Sequence, residues 1–168
     1  RKNWVRLDNA SNIFLAAMSN RDSKVFRFSA EVTKTVDPDL LQQALNKVYE
    51  DYKLYHSVLR RGVFWYYLEE SDLKPTVRLD INPTCEPLYH FDRRDLLFRV
   101  VYWKKRISIE VFHVLSDGTG AMWFLQDLLA EYLRLLHPEI ETAALLKSTY
   151  IHDKSSEDSF YRHFRSKE

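Results

Sequence analysis

The chain has 168 residues, a length that fits one domain with a real hydrophobic core. Lysine and arginine number 25 against 24 aspartate and glutamate, and the basic residues are scattered, which argues against nucleic acid as a partner. A membrane-spanning helix needs ~20 consecutive apolar residues, and no run approaches that length, so we expect a soluble protein without a membrane span. The chain has one cysteine, Cys85, and no recognisable signal peptide, which favours the cytoplasm. We interpret Cys85 as an ordinary loop thiol.

The first elements are a short helix, a strand and a long helix. Loosely helical spacing over residues 13–18, with Asp8 or Ser11 as the cap, predicts the short helix. From Lys24 apolar and polar residues alternate strictly, which predicts a half-buried strand. Asp37, Pro38 and Asp39 then form a typical helix start, with a cap, a proline at the first helical position and an acid in the first turn. Apolar residues at helical spacing follow, namely Leu41, Ala44, Leu45, Val48 and Tyr52.

Strands dominate the middle of the chain. The run from Val63 to Leu68 predicts a strand opened by a turn at Gly62. Residues 71–87 contain three of the five prolines, so we expect a crossing loop with at most one short strand at Thr76 to Leu79. Two β-rich runs, Leu97 to Trp103 and Ile107 to His113, predict a hairpin whose tip, Lys104 to Arg106, is charged and solvated.

A second long helix should follow Gly120 and end before Pro138, because leucines recur there at helical spacing. These elements predict an α/β fold with a mixed, largely antiparallel sheet and helices packed on one side. Residues 1–140 should form one subdomain. Residues 141–168, where periodicity fades and another short helix fits residues 155–164, should be a linker or the start of a second subdomain.

The candidate site is the joint between the last strand and the last helix. His113 has the same parity as Ile107, Ile109 and Val111, so we expect its side chain to point inward, and a histidine in that position is most often a hydrogen-bonded core residue. Three features favour a functional role. His113 ends its strand, where open sheets place ligands; Asp117 is suited to anchor the turn by hydrogen bonds or an ion pair; and Gly118 and Gly120 allow unusual backbone conformations and close approach of a substrate.

Such a histidine could act as a general base, since imidazole titrates near neutrality. Ser116 is too generic to name as a nucleophile, and nucleophile-elbow, phosphate-loop and zinc-helix motifs are missing from the sequence. The remaining histidines lack metal-ligand spacing, so we expect no metal and interpret them as surface or packing residues: His56, His90, His137, His152 and His163.

The segment His113-Val114-Leu115-Ser116-Asp117-Gly118 resembles the His-x-x-x-Asp-Gly motif of the chloramphenicol acetyltransferase-like superfamily of acyltransferases. That superfamily includes alcohol acetyltransferases and the condensation domains of nonribosomal peptide synthetases. Upstream, His56-Ser57-Val58-Leu59-Arg60 is similar to the His-x-x-Leu-Arg segment of condensation domains. The order of elements also follows the amino-terminal half of those proteins, so the resemblance covers nearly the whole chain.

The resemblance implies transfer of an acyl group from a thioester to an alcohol or amine, with His113 as the general base. It implies a structural role for Asp117, held through Arg60, and for Gly118. The co-substrate would be acyl-CoA or an acyl-carrier thioester, with a small-molecule acceptor, no tightly bound cofactor and no metal. Condensation domains usually have two successive histidines, and Phe112 in the first place favours the alcohol acetyltransferase branch.

The family's active site lies between two similar subdomains, and this chain supplies only the first. We therefore expect either a missing carboxy-terminal subdomain or self-association through the apolar surface that it would cover. Two alternatives remain beside the acyltransferase. One is a non-catalytic binding or interaction domain of the same fold, and the other is a carrier-protein-dependent peptide condensation domain.

Overall fold

The computed structural model describes residues 2–7 and 23–139. The strands are β1 (Trp4–Arg6), β2 (Val25–Glu31), β3 (Ser57–Arg61), β4 (Tyr66–Glu70), β5 (Arg78–Leu79), β6 (Phe98–Trp103) and β7 (Arg106–Phe112). The helices are α1 (Pro38–Asp51) and α2 (Gly118–Leu136), and a 3₁₀ turn over Lys53–His56 leads from α1 to β3. The expected helix capped by Asp8 or Ser11, the expected helix over 155–164 and the proposed division after residue 140 lie outside the described residues.

The strands form two sheets. One has the order β2-β7-β6-β5 and is antiparallel except for the short parallel pair of β5 and β6. The other is antiparallel throughout, with the order β1-β4-β3. Among the described residues, one isolated bridge, between Val58 and Leu96, links the two sheets, and no strand ladder continues from one to the other. The predicted mixed, largely antiparallel arrangement is confirmed, but it is divided into two sheets rather than one.

Both helices cover the same face of the four-stranded sheet. The ring of Phe28 on β2 lies 3.7 Å from where a Cβ on Gly118 would stand, which places the start of α2 over that face. Tyr49 on α1 stacks on Phe98 of β6, with ring centroids 6.1 Å apart. Tyr52, the residue that follows α1, also links the two helices, since its hydroxyl donates to Asp127 of α2 at 2.5 Å. The predicted packing of helices on one side is therefore present.

The predicted starts and turns follow from local chemistry. The Asp37 carboxylate accepts from the N–H groups of Asp39 and Leu40, at 3.0 and 3.2 Å, which caps α1 at the predicted position. Lys104 has a φ of 52° and lies at the exposed tip of the β6–β7 hairpin. The charged, solvated tip predicted over Lys104 to Arg106 is confirmed for Lys104 and Lys105, which are exposed. Arg106 instead begins β7 and donates to Asp80 at 3.0 Å.

Candidate functional site

The turn between β7 and α2 has a well-defined backbone. β7 ends at Phe112, whose side chain is fully buried, and the chain turns over residues 113–115. The N–H of His113 donates to the Lys24 carbonyl at 2.8 Å, so the backbone beside β2 fixes the position of the histidine. The N–H of Leu115 donates to the Phe112 carbonyl at 2.8 Å. The turn therefore holds its shape through backbone hydrogen bonds.

His113 lies on the face that its parity predicts, because it packs beside Phe26, whose partner across the sheet is Val111. Its side chain is nevertheless exposed, and the expectation of an inward, covered histidine is wrong, since the strand ends at Phe112. The imidazole packs beside Phe26 of β2, with ring centroids 4.5 Å apart and a 51° angle between the planes. An exposed imidazole with one side supported by an aromatic ring is accessible to a substrate, which a buried one would not be.

Asp117 caps α2. Its Oδ1 accepts from the N–H of Gly120 at 2.8 Å, and its carbonyl accepts from the N–H of Ala121 at 3.1 Å. The Ser116 hydroxyl donates to the same carbonyl at 3.2 Å. A carboxylate in this position also interacts favourably with the positive end of the helix. The expectation that Asp117 anchors the turn by hydrogen bonds is met by this cap.

Arg60 lies on β3 in the other sheet, with its side chain 43% exposed. Its ion pair is with Glu69 of β4 at 3.6 Å, and Arg94 approaches the same carboxylate at 3.4 Å. Within residues 2–7 and 23–139, no ion pair joins Arg60 to Asp117. The partner that the resemblance implied for Asp117 is therefore replaced by the helix cap.

The glycines of the turn act differently from what their sequence position suggests. Neither Gly118 nor Gly120 has a positive φ, so the expectation of an unusual backbone conformation is wrong. A Cβ on Gly120 would lie 2.5 Å from Oγ of Ser116 and 3.4 Å from Oδ1 of Asp117, which would disturb the cap. A Cβ on Gly118 would meet only the Phe28 ring, at an ordinary contact distance. Gly120 is therefore required by the cap, whereas an alanine at Gly118 would pack on Phe28 without a clash.

A buried charge cluster lies on the opposite face of the four-stranded sheet, and the sequence reasoning missed it. Glu110 of β7 is 2% exposed; it accepts from Arg27 Nε at 3.1 Å and from the backbone N–H of Cys85, and it lies 3.4 Å from Arg99 Nε. Asp80 takes a bidentate pair from Arg27, at 2.7 and 2.8 Å. The register between adjacent strands brings Arg27, Glu110 and Arg99 together, and the sequence alone does not specify that register.

This cluster attaches the loop of residues 79–87 to the sheet. The hydrogen bond from Arg27 holds the pKa of Asp80 below its usual range, against the opposing effect of burial. Burial raises the pKa of the Cys85 thiol to about 11, with Glu110 adding to the shift. Cys85 also has a φ of 58°, in the left-handed region. A thiol in that condition is a poor nucleophile, in agreement with its interpretation as an ordinary loop residue.

The other histidines occupy separate places. His56 stacks on Tyr49 with centroids 3.9 Å apart, so it is a packing residue, and His137 lies 3.4 Å from Glu139. His152 and His163 lie outside the described residues. In the described part of the chain, no group of three or more His, Cys, Asp or Glu side chains is arranged to hold a metal ion. Within the same ranges, no helix has the length and apolar character required to cross a membrane.

Neither a protein-family model nor a curated protein sequence matches the chain. Solved structures do match. The starter condensation domain of rhizomide synthetase RzmA superimposes with a TM-score of 0.65 at 14% identity, over 95% of this chain and 47% of that domain. A variant of that domain, solved in complex with C8-CoA, superimposes with a TM-score of 0.64 at 15% identity, over 79% of this chain and 36% of the other.

A third match is polyketide synthase associated protein 5 from Mycobacterium tuberculosis, with a TM-score of 0.59 at 14% identity. It covers 79% of this chain and 33% of that protein. The chain thus spans about half the length, or less, of the solved structures that it resembles. The predicted chloramphenicol acetyltransferase-like α/β fold is confirmed, and it is similar to the fold of about half of a condensation domain.

Proposed function

We propose that this chain is the amino-terminal subdomain of an acyltransferase that moves an acyl group from a thioester to an alcohol or amine. The observation that carries the proposal is the exposed imidazole of His113, fixed at the end of β7 beside the capped start of α2. The fold adds support, because one solved structure that shares it holds C8-CoA. Acyl-CoA is therefore the first donor to test, with an acyl-carrier thioester as the second.

In the proposed step, His113 removes the proton from the acceptor hydroxyl or amine as its oxygen or nitrogen attacks the thioester carbonyl carbon. A carbon–oxygen or carbon–nitrogen bond forms, and the carbonyl becomes a tetrahedral oxyanion. When that intermediate collapses, the carbon–sulfur bond breaks, and the imidazolium returns the proton to the departing thiolate. The step consumes no oxidant or reductant and forms no acyl-enzyme, so one histidine is sufficient as the proton carrier.

The neighbours of His113 have supporting roles in this proposal. Asp117 keeps the start of α2 in place through its cap, and Gly118 leaves the space beside the turn open for the substrate. Arg60 contributes to the three-stranded sheet through Glu69. The buried Phe112 stands where condensation domains usually carry a first histidine, and this favours an alcohol acceptor over a carrier-bound peptide acceptor.

The second wall of the site would come from a carboxy-terminal subdomain, since the chain spans about half of the solved condensation domain. Reaction in the cytoplasm, where acyl-CoA is available, is part of the same proposal. The test uses the protein in its natural full length and measures thiol release from acetyl-CoA and octanoyl-CoA with a panel of alcohols and amines. Acceptor-dependent thiol release supports the proposal, and no release with any pair contradicts it.

A second candidate is a non-catalytic interaction domain of the same fold. The observation in its favour is the pairing of Arg60 with Glu69, which departs from the bracing that the catalytic resemblance implied. Binding of an acyl-CoA without turnover would favour this candidate. Turnover that requires synthetase modules in the same chain would favour a peptide condensation domain instead.

A further inference from the structure

The tip of the β3–β4 hairpin, residues Gly62 to Trp65, exposes apolar side chains to solvent. Val63 is 89% exposed and Phe64 is 85% exposed, although large apolar side chains are usually covered. A second hairpin tip in the described residues, between β6 and β7, carries Lys104 and Lys105. The same kind of turn is therefore polar at one site and apolar at the other, so the apolar tip calls for an explanation beyond turn formation.

This tip is a fixed protrusion. The N–H of Gly62 donates to the Trp65 carbonyl at 2.8 Å and closes the turn. A Cβ on Gly62 would lie 2.9 Å from that same backbone oxygen, so only glycine fits there without a shift of the main chain. The turn thus holds Val63 and Phe64 outward, as a convex point that offers no groove to a ligand.

Cations surround the tip. The guanidinium of Arg6 on β1 lies 4.6 Å from the centre of the Trp65 ring, and Arg60 and Arg61 lie exposed on β3. Arg60 is paired with Glu69 of β4, so Arg6 and Arg61 supply the positive charge nearest the tip. The tip itself, Gly62 to Trp65, contains no acidic residue, and the charge immediately beside it is therefore positive.

We propose that this tip binds the surface of an anionic phospholipid membrane, independently of the chemistry at His113. A protruding aliphatic and aromatic pair can enter the acyl boundary of a bilayer, which adapts to a convex shape. Tryptophan favours the headgroup level, and arginines beside it attract anionic lipids. The contact is peripheral, and it would bring the site close to acyl donors or acceptors that partition into membranes.

Co-sedimentation of the full-length protein with vesicles tests this proposal. Vesicles of phosphatidylcholine with phosphatidylserine should bind the protein, and pure phosphatidylcholine should bind it at least about tenfold more weakly. The double change Val63→Ser and Phe64→Ser should lower binding about tenfold or more. Arg61→Gln should lower it about fivefold. Raised salt should weaken the binding of the unmodified protein.

Ile81→Ser is the matched control, because Ile81 is 70% exposed in a loop of the other sheet and its loss should leave vesicle binding unchanged. All four substituted positions are exposed, and equal melting temperatures of the variants check that each is folded. The proposal is overturned if the full-length protein does not bind anionic vesicles, a result that we would expect if a second subdomain covers the tip. Equal loss of binding in the Ile81 and tip variants overturns it too, and so does a tip that binds a protein partner but no vesicle.

Discussion

The imidazole of His113 lies against the phenyl ring of Phe26, with ring centroids 4.5 Å apart. Phe26 pairs with Val111 across the sheet, so the ring that supports the histidine is itself held by the strand ladder. The contact links a side chain on β2 to the proposed base at the end of β7. It gives Phe26 a positioning role, without contact to the reacting atoms.

Phe26→Ala should therefore lower kcat about tenfold while KM for the acyl donor changes little. Loss of the ring allows the imidazole to take more orientations, and misplacement of a catalytic group is costly. Phe26→Leu keeps part of the contact, so its kcat should lie between those of the unmodified protein and Phe26→Ala. Steady-state kinetics of the full-length protein measure this split. An increase in KM at constant kcat would show that Phe26 contacts the substrate instead.

Asp117→Ala should destabilise the protein by about 1 kcal/mol, the usual cost of losing a helix cap. Asp117→Asn should retain nearly all of that stability, because asparagine caps helices as well as aspartate does. Urea unfolding of both variants measures the difference. If the carboxylate charge were needed for an ion pair with Arg60, the asparagine variant would be as unstable as the alanine variant.

Gly118→Ala should leave the free energy of unfolding unchanged or raise it. The added Cβ would meet the Phe28 ring at 3.7 Å, an ordinary contact, and alanine favours helix more than glycine does. Any loss of turnover in a fully folded variant then reports that the methyl group blocks the substrate. Comparison of unfolding with thiol release separates these effects, and a clear drop in stability would contradict the assigned geometry.

Asp80→Asn should destabilise the protein by about 3 kcal/mol, since it leaves the largely buried Arg27 with one fewer partner. Asp95→Asn is the matched control: its pair with Arg93 is exposed on both sides, and it should cost less than about 1 kcal/mol. Denaturant unfolding measures both. Equal costs for the two variants would contradict the view that the charge cluster holds the 79–87 loop.

The same carboxylate predicts a pH dependence. Arg27 lowers the folded-state pKa of Asp80 below its unfolded value. The resulting stabilisation is complete above the unfolded pKa of roughly 4 and is lost as the pH falls through the folded-state pKa. Acid unfolding should therefore be shallower for Asp80→Asn than for the unmodified protein. Equal slopes for the two proteins would show that Arg27 does not lower the folded-state pKa of Asp80.

Local patterns predicted most of the elements. The cap at Asp37, the alternation of β2 and the β6–β7 hairpin all depend on neighbouring residues, and all are in the structure. The division into two sheets was not predicted, because strand partners such as β1 and β4 lie far apart in the sequence. The parity of His113 gave the correct face, but its exposure was not predicted, since periodicity does not show that the strand ends one residue earlier.

The parts of the site that depend on neighbouring residues were predicted, and the parts that depend on strand pairing were not. The cap by Asp117 follows from its place before a helix, whereas the pairing of Arg60 depends on which strand lies beside β3. The Phe26 contact and the Arg27, Glu110 and Arg99 cluster require the register between strands. The register depends on pairing between residues that lie far apart in the sequence, and the sequence alone does not specify that pairing.

The central claim is that His113 removes the acceptor proton. The most direct measurement is thiol release from acyl-CoA by the full-length protein, with and without His113→Ala, at a saturating acceptor concentration. General base catalysis contributes typically ~10²–10⁴-fold, so the variant should lose at least about a hundredfold in kcat while it still binds acyl-CoA and melts at an unchanged temperature. Unchanged turnover in a folded His113→Ala protein would contradict the account.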